Sequence, residues 1–230
     1  MADGVAYWAE HFGIPEAAFA DPGPHIVPHA ALGGWNGVWA FHRAGIWVVS
    51  APPHLVPRLR QEQLAPRRLA DPAALRDWLD APGATVVGPA WWGRLDAAEL
   101  RPPPPVSVEP LRGTDEPVRR FRASIRDEDW NGTGIDLETM DLFGAIEAGE
   151  IRALAGCRLR GVGAADPCLL THPAWRGRGF ATAAGHAACR HSLATGRLVF
   201  YQTLVSNEAA VAVARRIGFR DEATHLAVRL

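Results

Sequence analysis

Lysine is missing from this sequence: every one of its 24 basic side chains is arginine. The chain therefore cannot modify itself on a lysine side chain, and with alanine, glycine and proline abundant the absence fits a GC-rich coding bias. No apolar run reaches the ~20 residues that would span a bilayer. The opening Met1-Ala2-Asp3-Gly4 lacks the basic and apolar regions of a signal peptide. Cysteine is scarce, with Cys157, Cys168 and Cys189 set in apolar surroundings and without C-x-x-C spacing. An odd number without a framework reads as reduced core thiols in a cytoplasmic protein, with no metal site. A net charge of −1 leaves no strongly basic surface for nucleic acid. Tyrosine is rare as well; only Tyr201 lies in the C-terminal half.

What is present is an ordinary globular composition, 48% hydrophobic over 230 residues. That length suits one large domain or two small ones. Arg101-Pro102-Pro103-Pro104-Pro105 is the clearest joint, because consecutive prolines favour a stiff, extended segment without hydrogen-bond donors. The expected domains are residues 1–100, a linker at 101–105, and 106–230. In the first, the pattern predicts a helix over Tyr7–Phe12 and strands over Gly37–His42 and Ile46–Ser50 around an Arg43-Ala44-Gly45 turn. Helices follow over Leu55–Leu64 and Asp71–Leu79, the latter opened by Asp-Pro, with a short strand over Thr85–Val87. The many tryptophans here read as core.

After the linker the pattern is mixed α/β. Strands are predicted over Val106–Glu109, Leu142–Glu147 and Ile151–Leu159, with a helix over Glu116–Ile125. Ala148-Gly149-Glu150 reads as a hairpin turn. A short buried strand over Cys168–Thr171 leads to a small-residue helix, Phe180–Ala194. A strand over Leu198–Leu204, a helix over Glu208–Ile217 and a final strand over Thr224–Leu230 complete it. Strands alternating with helices after 160 imply crossovers and parallel pairing.

The chemistry concentrates at Leu169-Leu170-Thr171-His172-Pro173-Ala174-Trp175-Arg176-Gly177-Arg178-Gly179-Phe180-Ala181-Thr182. A strand ends at Pro173 and a glycine-rich turn opens a helix, whose first N–H groups have no partner within the helix. With the helix dipole they make an anion site. Gly177 and Gly179 allow the backbone close to phosphate oxygens, and Arg176 and Arg178 can add charge-assisted hydrogen bonds. A nucleotide P-loop is excluded because it requires a lysine. A dinucleotide fingerprint would need a third glycine and an acid after the next strand.

The segment Arg176-Gly177-Arg178-Gly179-Phe180-Ala181 resembles the coenzyme A signature, R/Q-x-x-G-x-G/A, of the GNAT superfamily of acyl-CoA-dependent N-acyltransferases. The strand ending Thr171-His172-Pro173 stands before it, as in that superfamily. Asn207, opening a helix that ends in Gly218-Phe219, resembles its second signature. The resemblance covers about 106–230 and implies a GNAT-like α/β fold (an α+β mixed sheet) there. It implies acetyl-CoA as acyl donor, with backbone contacts at Leu170, Thr171 and His172. The pyrophosphate would rest on Arg176, Gly177, Arg178, Gly179, Phe180 and Ala181, with Thr182 close by. Asn207, Ala210 and Ala214 would border the thiol. The acceptor would be a small-molecule or peptide amine.

Two departures stand out. The tyrosine that protonates the departing thiolate in many members is Ala214 here. The glutamate or histidine base on the strand before the loop has no counterpart at Ala165, Pro167 or Leu169, and Asp166 should face the other way by strand alternation. Substitutes by residue type are Tyr201, His172 and Asp166, together with the polar stretch Asp127, Glu128, Asp129. The missing pair also admits a non-catalytic acyl-CoA-binding or regulatory module. A fainter echo lies at Val48-Val49-Ser50-Ala51-Pro52-Pro53-His54, strand to proline to helix, without a glycine-arginine loop. It suggests that the N-terminal part is a degenerate GNAT-like half without its own coenzyme site. Its tryptophan-bearing strands are expected to cover the edge of the chain's last strand.

Overall fold

A computed structural model describes residues 4–32, 34–61, 66–161 and 163–230. In chain order the first elements are α1 (Gly4–Phe12), β1 (Pro24–Pro28), β2 (Gly37–Arg43), β3 (Ile46–Ala51), α2 (Val56–Gln61), α3 (Pro66–Leu69), α4 (Pro72–Trp78) and β4 (Thr85–Leu95). Then come β5 (Ser107–Leu111), α5 (Glu116–Ala123), α6 (Asp127–Asn131), β6 (Leu142–Glu147), β7 (Glu150–Arg160) and β8 (Ala164–Thr171). The last are α7 (Phe180–Ala194), β9 (Leu198–Leu204), α8 (Glu208–Ile217) and β10 (Arg220–Arg229).

The chain forms two compact units that interleave in sequence. One comprises Met1–Trp92, Gln202–Glu208 and Asp221–Leu230; the other comprises Gly93–Tyr201 and Ala209–Arg220. The proline run 101–105 lies inside the second.

In the first unit the strand order is β1-β3-β2-β10-β4. β2 and β3 form the expected hairpin, with Ala44 and Gly45 both at positive φ, the two left-handed positions of a type I′ turn. β10 pairs antiparallel with β2, Ala227 opposite Trp39, so a tryptophan strand does cover the edge of the last strand. One apolar cluster joins Val38, Ala40, Val49, Leu226 and Val228 to Leu59, Leu69 and Leu75 of the helices. The tryptophans are core: Trp8, Trp39, Trp91 and Trp92 are buried. Trp8 packs on Phe41 and Trp92, with Trp39 against Phe12 and His225. Three of their ring N–H groups find acceptors, Trp8 on Glu222, Trp91 on Asp221 and Trp92 on His225 Nδ1, as buried indoles favour.

The second unit orders its strands β9-β8-β7-β6-β5. β5 to β8 are antiparallel neighbours, and β8 runs parallel to β9. Val118, Phe121 and Ile125 of the α5 segment cover one face, against Leu142, Ile151, Leu154, Cys168 and Leu170. α7 covers the other, and its small residues meet small residues: Ala183, Ala184 and Ala188 pack on Ala145, Ala153 and Ala155. The helix therefore lies close to the sheet, which fixes the position of its N-terminus.

Several boundaries differ from the sequence pattern. β1, Pro-His-Ile-Val-Pro, pairs parallel with β3 although prolines flank it, because an edge strand tolerates missing donors. β4 runs to Leu95 rather than Val87, passing through the Gly88-Pro89 dipeptide that reads as a break. α2 spans Val56–Gln61, and the Leu64 end of the expected helix lies outside the described residues. β8 begins at Ala164 rather than Cys168, again passing through a proline, Pro167. α5 ends at Ala123, and the polar stretch after it forms the short helix α6.

Candidate functional site

β8 is a strand in two halves. Its antiparallel register with β7 runs from Arg160↔Ala164 to Ala153↔Thr171. The His172 N–H donates to the Arg152 carbonyl at 2.9 Å. Backbone groups alternate sides along a strand, so residues 172, 170, 168 and 166 turn their N–H and C=O towards β7. Residues 165, 167, 169 and 171 turn theirs towards β9. Parallel pairing with β9 covers only Ala164↔Leu198 and Ala165↔Val199 among the described residues. The next donor on that side would be residue 167, and proline has no N–H. The ladder stops where Pro167 interrupts it, and the backbone groups of Leu169 and Thr171 are left facing the opening. Of the three backbone contacts expected from sequence, Thr171 has the required direction. Leu170 and His172 face β7, and Leu169, which the sequence reading passed over, faces the opening.

β8 then delivers the chain into the loop. The His172 side chain caps the single turn Pro173–Trp175, its Nδ1 accepting from the Ala174 N–H at 3.2 Å. Gly177 and Gly179 follow at φ +78° and +87°, left-handed conformations that a side chain resists. Gly179 is the N-cap of α7. The first helical bond runs from the Ala183 N–H to the Gly179 carbonyl. Among the described residues no N–H from Gly177 to Thr182 has a protein acceptor. Among the described residues nothing stands within 4 Å of the position a Cβ would take on Gly177, and only Pro104, at 3.7 Å, stands near that of Gly179. Convergent donors, a fifteen-residue helix behind them and open space in front make an anion cradle.

The side chains around the loop are arranged by one indole. Trp175 lies between two guanidiniums, with Arg152 Cζ 3.9 Å and Arg178 Cζ 4.7 Å from its ring centroid. Trp175 also meets Phe180 edge to face. Arg176 projects to the other side, 3.5 Å from Asp129 Oδ1 on α6. Asp129 is bound to Arg126 at 2.8 Å, and Arg126 first, then Arg176, hold its carboxyl below the usual carboxylate range. Phe180 and Thr182 are buried in the first turn of α7, and Ala181 is half-buried.

The second expected signature is also a built feature. α8 begins directly after Asn207 and ends at Gly218, φ +126°. The N–H groups of Gly218 and Phe219 both return to the Ala214 carbonyl, a C-cap pattern. A Cβ on Gly218 would collide with the Glu99 carbonyl oxygen, so glycine is required there for close approach as well as for conformation. On α8, Ala210 is half-buried and Ala214 is 1% exposed.

The acid and base candidates are engaged elsewhere. Asp166 is buried, and its Oδ2 accepts from Arg158 at 2.9 Å and from Arg160 at 2.6 Å. It shares a face of β8 with Cys168 and Leu170. Tyr201 is buried against Phe219, and burial, then Asp166, Cys168 and Cys189, push its hydroxyl pKa up, so it stays protonated. His172 accepts at Nδ1, which places the proton of the neutral ring on Nε2. Glu128 is an exposed carboxylate 3.9 Å from Arg126, and Asp127 pairs with Arg122.

Against this geometry the comparisons agree. The family described as "Acetyltransferase (GNAT) family" matches residues 106–219. The chain therefore carries a GNAT acetyltransferase domain. A GCN5-related N-acetyltransferase from Kribbella flavida is similar in structure, with a TM-score of 0.52 at 15% identity over 80% of this chain and 68% of that one. A GNAT-family acetyltransferase from Colwellia psychrerythraea gives 0.50 at 18% identity, covering 64% of this chain and 57% of its own. Identities this low show the shared fold alone. No curated protein matches the chain significantly.

Proposed function

We propose that this protein transfers an acyl group, acetyl as the expected one, from coenzyme A to an amine by direct attack on the thioester. The observation that supports it most is the conjunction in one strand-to-helix segment. β8 presents an edge released by Pro167, and the open donor loop at Gly177 to Thr182 follows it directly in the chain. In this reading the arm pairs with Leu169 and Thr171 as an added strand. The pyrophosphate sits on the N–H groups of Gly177 to Thr182. The Leu169 N–H, the first donor beyond Pro167, polarises the thioester carbonyl. The neutral amine attacks that carbon, its surplus proton passes to solvent, the C–S bond breaks, and the thiolate leaves without a tyrosine at Ala214. A thiolate is a far better leaving group than an alkoxide, so it departs tolerably near neutral pH.

Among the described residues Asp166, Tyr201 and His172 are engaged elsewhere, and that shapes the substrate reading. A lysine-like amine of pKa about 10.4 is neutral only about once in a few thousand at pH 7, an α-amine of pKa about 8 about one time in ten. The acceptor is therefore read as a small molecule or peptide presenting a low-pKa amine. Thiol release measured across an amine panel tests this. Rates with α-amines should exceed those with primary alkylamines and should rise with pH up to the amine's own pKa. A pH-independent rate would refute the reading that no enzyme base takes the proton.

The engagement of Asp166, Tyr201 and His172 supports a second reading, a non-catalytic acyl-CoA-binding module. Binding of coenzyme A with no thiol release from acetyl-CoA for any amine would establish it. The N-terminal part, residues 1–100, is read as a degenerate half of the same fold, and two coenzyme molecules bound per chain would refute that. A cytoplasmic setting is consistent with free thiols at Cys157, Cys168 and Cys189; disulfide formation in the protein isolated from cells would count against it. No described helix is long and apolar enough to cross a membrane.

A further inference from the structure

Beside the phosphate loop, on the α5 side of the second unit, is a cavity of about 180 Å³ whose walls include Arg120, Glu150, Arg152, His172 and Trp175. We infer that it is a second anion subsite, built to take a phosphomonoester. The inference rests on the coenzyme A reading of the loop for the identity of its first candidate ligand, and on local geometry for the rest.

The geometry begins with a register shift. β6 and β7 slip between Ala145 and Ile146, so that Ala145 faces Ala153 while Ile146 faces Ile151. Arg152 is the extra residue. Bulges re-aim side chains, and here the guanidinium stands over Trp175, 3.9 Å from the ring centroid, with only 13% of the side chain exposed. Arg152 Nη1 meets Glu150 at 2.6 Å, while its Nε is buried and has no hydrogen-bond partner among the described residues. The Glu147 carboxylate, 3.7 Å away, is beyond hydrogen-bond reach of that Nε. A buried arginine donor without an acceptor leaves the guanidinium under-satisfied where it stands, and an anion in the cavity would reach it through the Nη groups.

Two more donors line the cavity. His172 spends Nδ1 on the Ala174 N–H, so its ring presents Nε2–H. Arg120 is 60% exposed, and its contact with Glu116 is a loose surface pair at 3.6 Å. Such pairs exchange readily for a better partner. Glu150 is the carboxylate in the wall. It is 65% exposed and can swing into solvent when an anion takes its place on Arg152. Two guanidiniums and an imidazole N–H match the acceptor oxygens and double charge of a phosphomonoester better than a single carboxylate.

Coenzyme A carries one such group, the 3′-phosphate of its ribose, tethered to the pyrophosphate that the adjoining loop would hold. The same chemistry could come from a separate phosphorylated molecule. Calorimetric titration of the full chain with coenzyme A and with 3′-dephospho-coenzyme A separates the sources. If the 3′-phosphate is the ligand, coenzyme A should bind about ten- to a hundredfold tighter than the dephospho form. Arg152→Gln should abolish that preference, and Arg120→Gln should reduce it. Arg120→Gln changes an exposed helix position and keeps the test valid if Arg152→Gln disturbs Trp175. If the two coenzymes bind alike, but inorganic phosphate raises the melting temperature of the parent and not of Arg120→Gln, the subsite stands with a separate phosphate donor. Equal binding with no phosphate effect overturns the inference. Dephospho-coenzyme A binding to the parent reports the loop alone, so its absence would mark failure of the coenzyme A reading instead.

Discussion

The protein contains two junctions where a strand runs through proline into a helix, one in each unit, and they are built to opposite ends. After β3, Pro52, Pro53 and Pro57 each lack an N–H, and the Leu55 N–H is spent on the Pro52 carbonyl at 2.9 Å. The helix that follows has six residues. Its arginine, Arg58, lies over Trp78 and donates to the Trp78 carbonyl at 2.7 Å. After β8 a single proline is followed by two left-handed glycines, a run of N–H groups without protein acceptors, and a helix of fifteen residues. There too an arginine, Arg178, stacks on an indole, but Arg176 is 57% exposed and, among the described residues, reaches only Asp129, at 3.5 Å. The same strand-proline-helix grammar thus makes either a closed corner or the proposed anion site, and the difference is how many backbone donors survive.

The comparison can be broken most severely at Gly179. Gly179→Val forces a β-branched residue into φ +87° and fills the space above the donors. Strain of that kind and the lost phosphate approach should weaken coenzyme A binding by about a hundredfold in calorimetry. His54→Val at the β3 junction should leave affinity within about twofold. Equal losses from both would mean that the two junctions are not functionally distinct.

Pro167 comes next in effect. Pro167→Ala returns the donor that the β8–β9 ladder lacks and should let the strands close further. The expected result is about tenfold weaker coenzyme A binding with unchanged or higher thermal stability. Unchanged affinity would show that the opening does not depend on the proline. A smaller change of opposite sign is expected from Asp129→Asn. It removes the carboxylate that shares Arg176 and should tighten coenzyme A binding about twofold; weaker binding would show that Asp129 positions the loop rather than competing for it.

The mildest prediction concerns the units. All three cysteines lie in the second unit, and burial pushes the Cys168 thiol up to about 11. The folded state therefore holds this proton more tightly than the unfolded chain does. The stability this provides is full below the ordinary thiol range, about pH 8.5, and is lost as pH rises towards 11. Cys168→Ala should flatten the decline in melting temperature over that window. A decline just as steep in the variant would assign it to other groups.

The sequence shows the loop well, because Gly177, Gly179 and the caps of α8 are local requirements that residue type reveals directly. Hairpin turns at Ala44-Gly45 and Ala148-Gly149 were legible for the same reason, each pair standing at positive φ. What was not legible depends on distant partners. Pro167 reads as a strand breaker until β7 is seen to pair on its other side. Arg152 is distant in sequence from Trp175 and Arg178, and it sits at the β7 bulge where it stacks on Trp175. Asp166 looked like a candidate base by residue type, and its two arginine partners come from the neighbouring strand. The interleaving of the units follows from where the last strand pairs, which no local pattern encodes.

Amide hydrogen exchange with and without coenzyme A tests the central claim most directly. The N–H groups of Leu169 and Thr171 and those from Gly177 to Thr182 should exchange rapidly in the free protein and slow at least about tenfold when the coenzyme is added, while the amides of His54 to Arg58 should not change. Protection that leaves Gly177 to Thr182 untouched, or an equal effect at both junctions, would contradict the account.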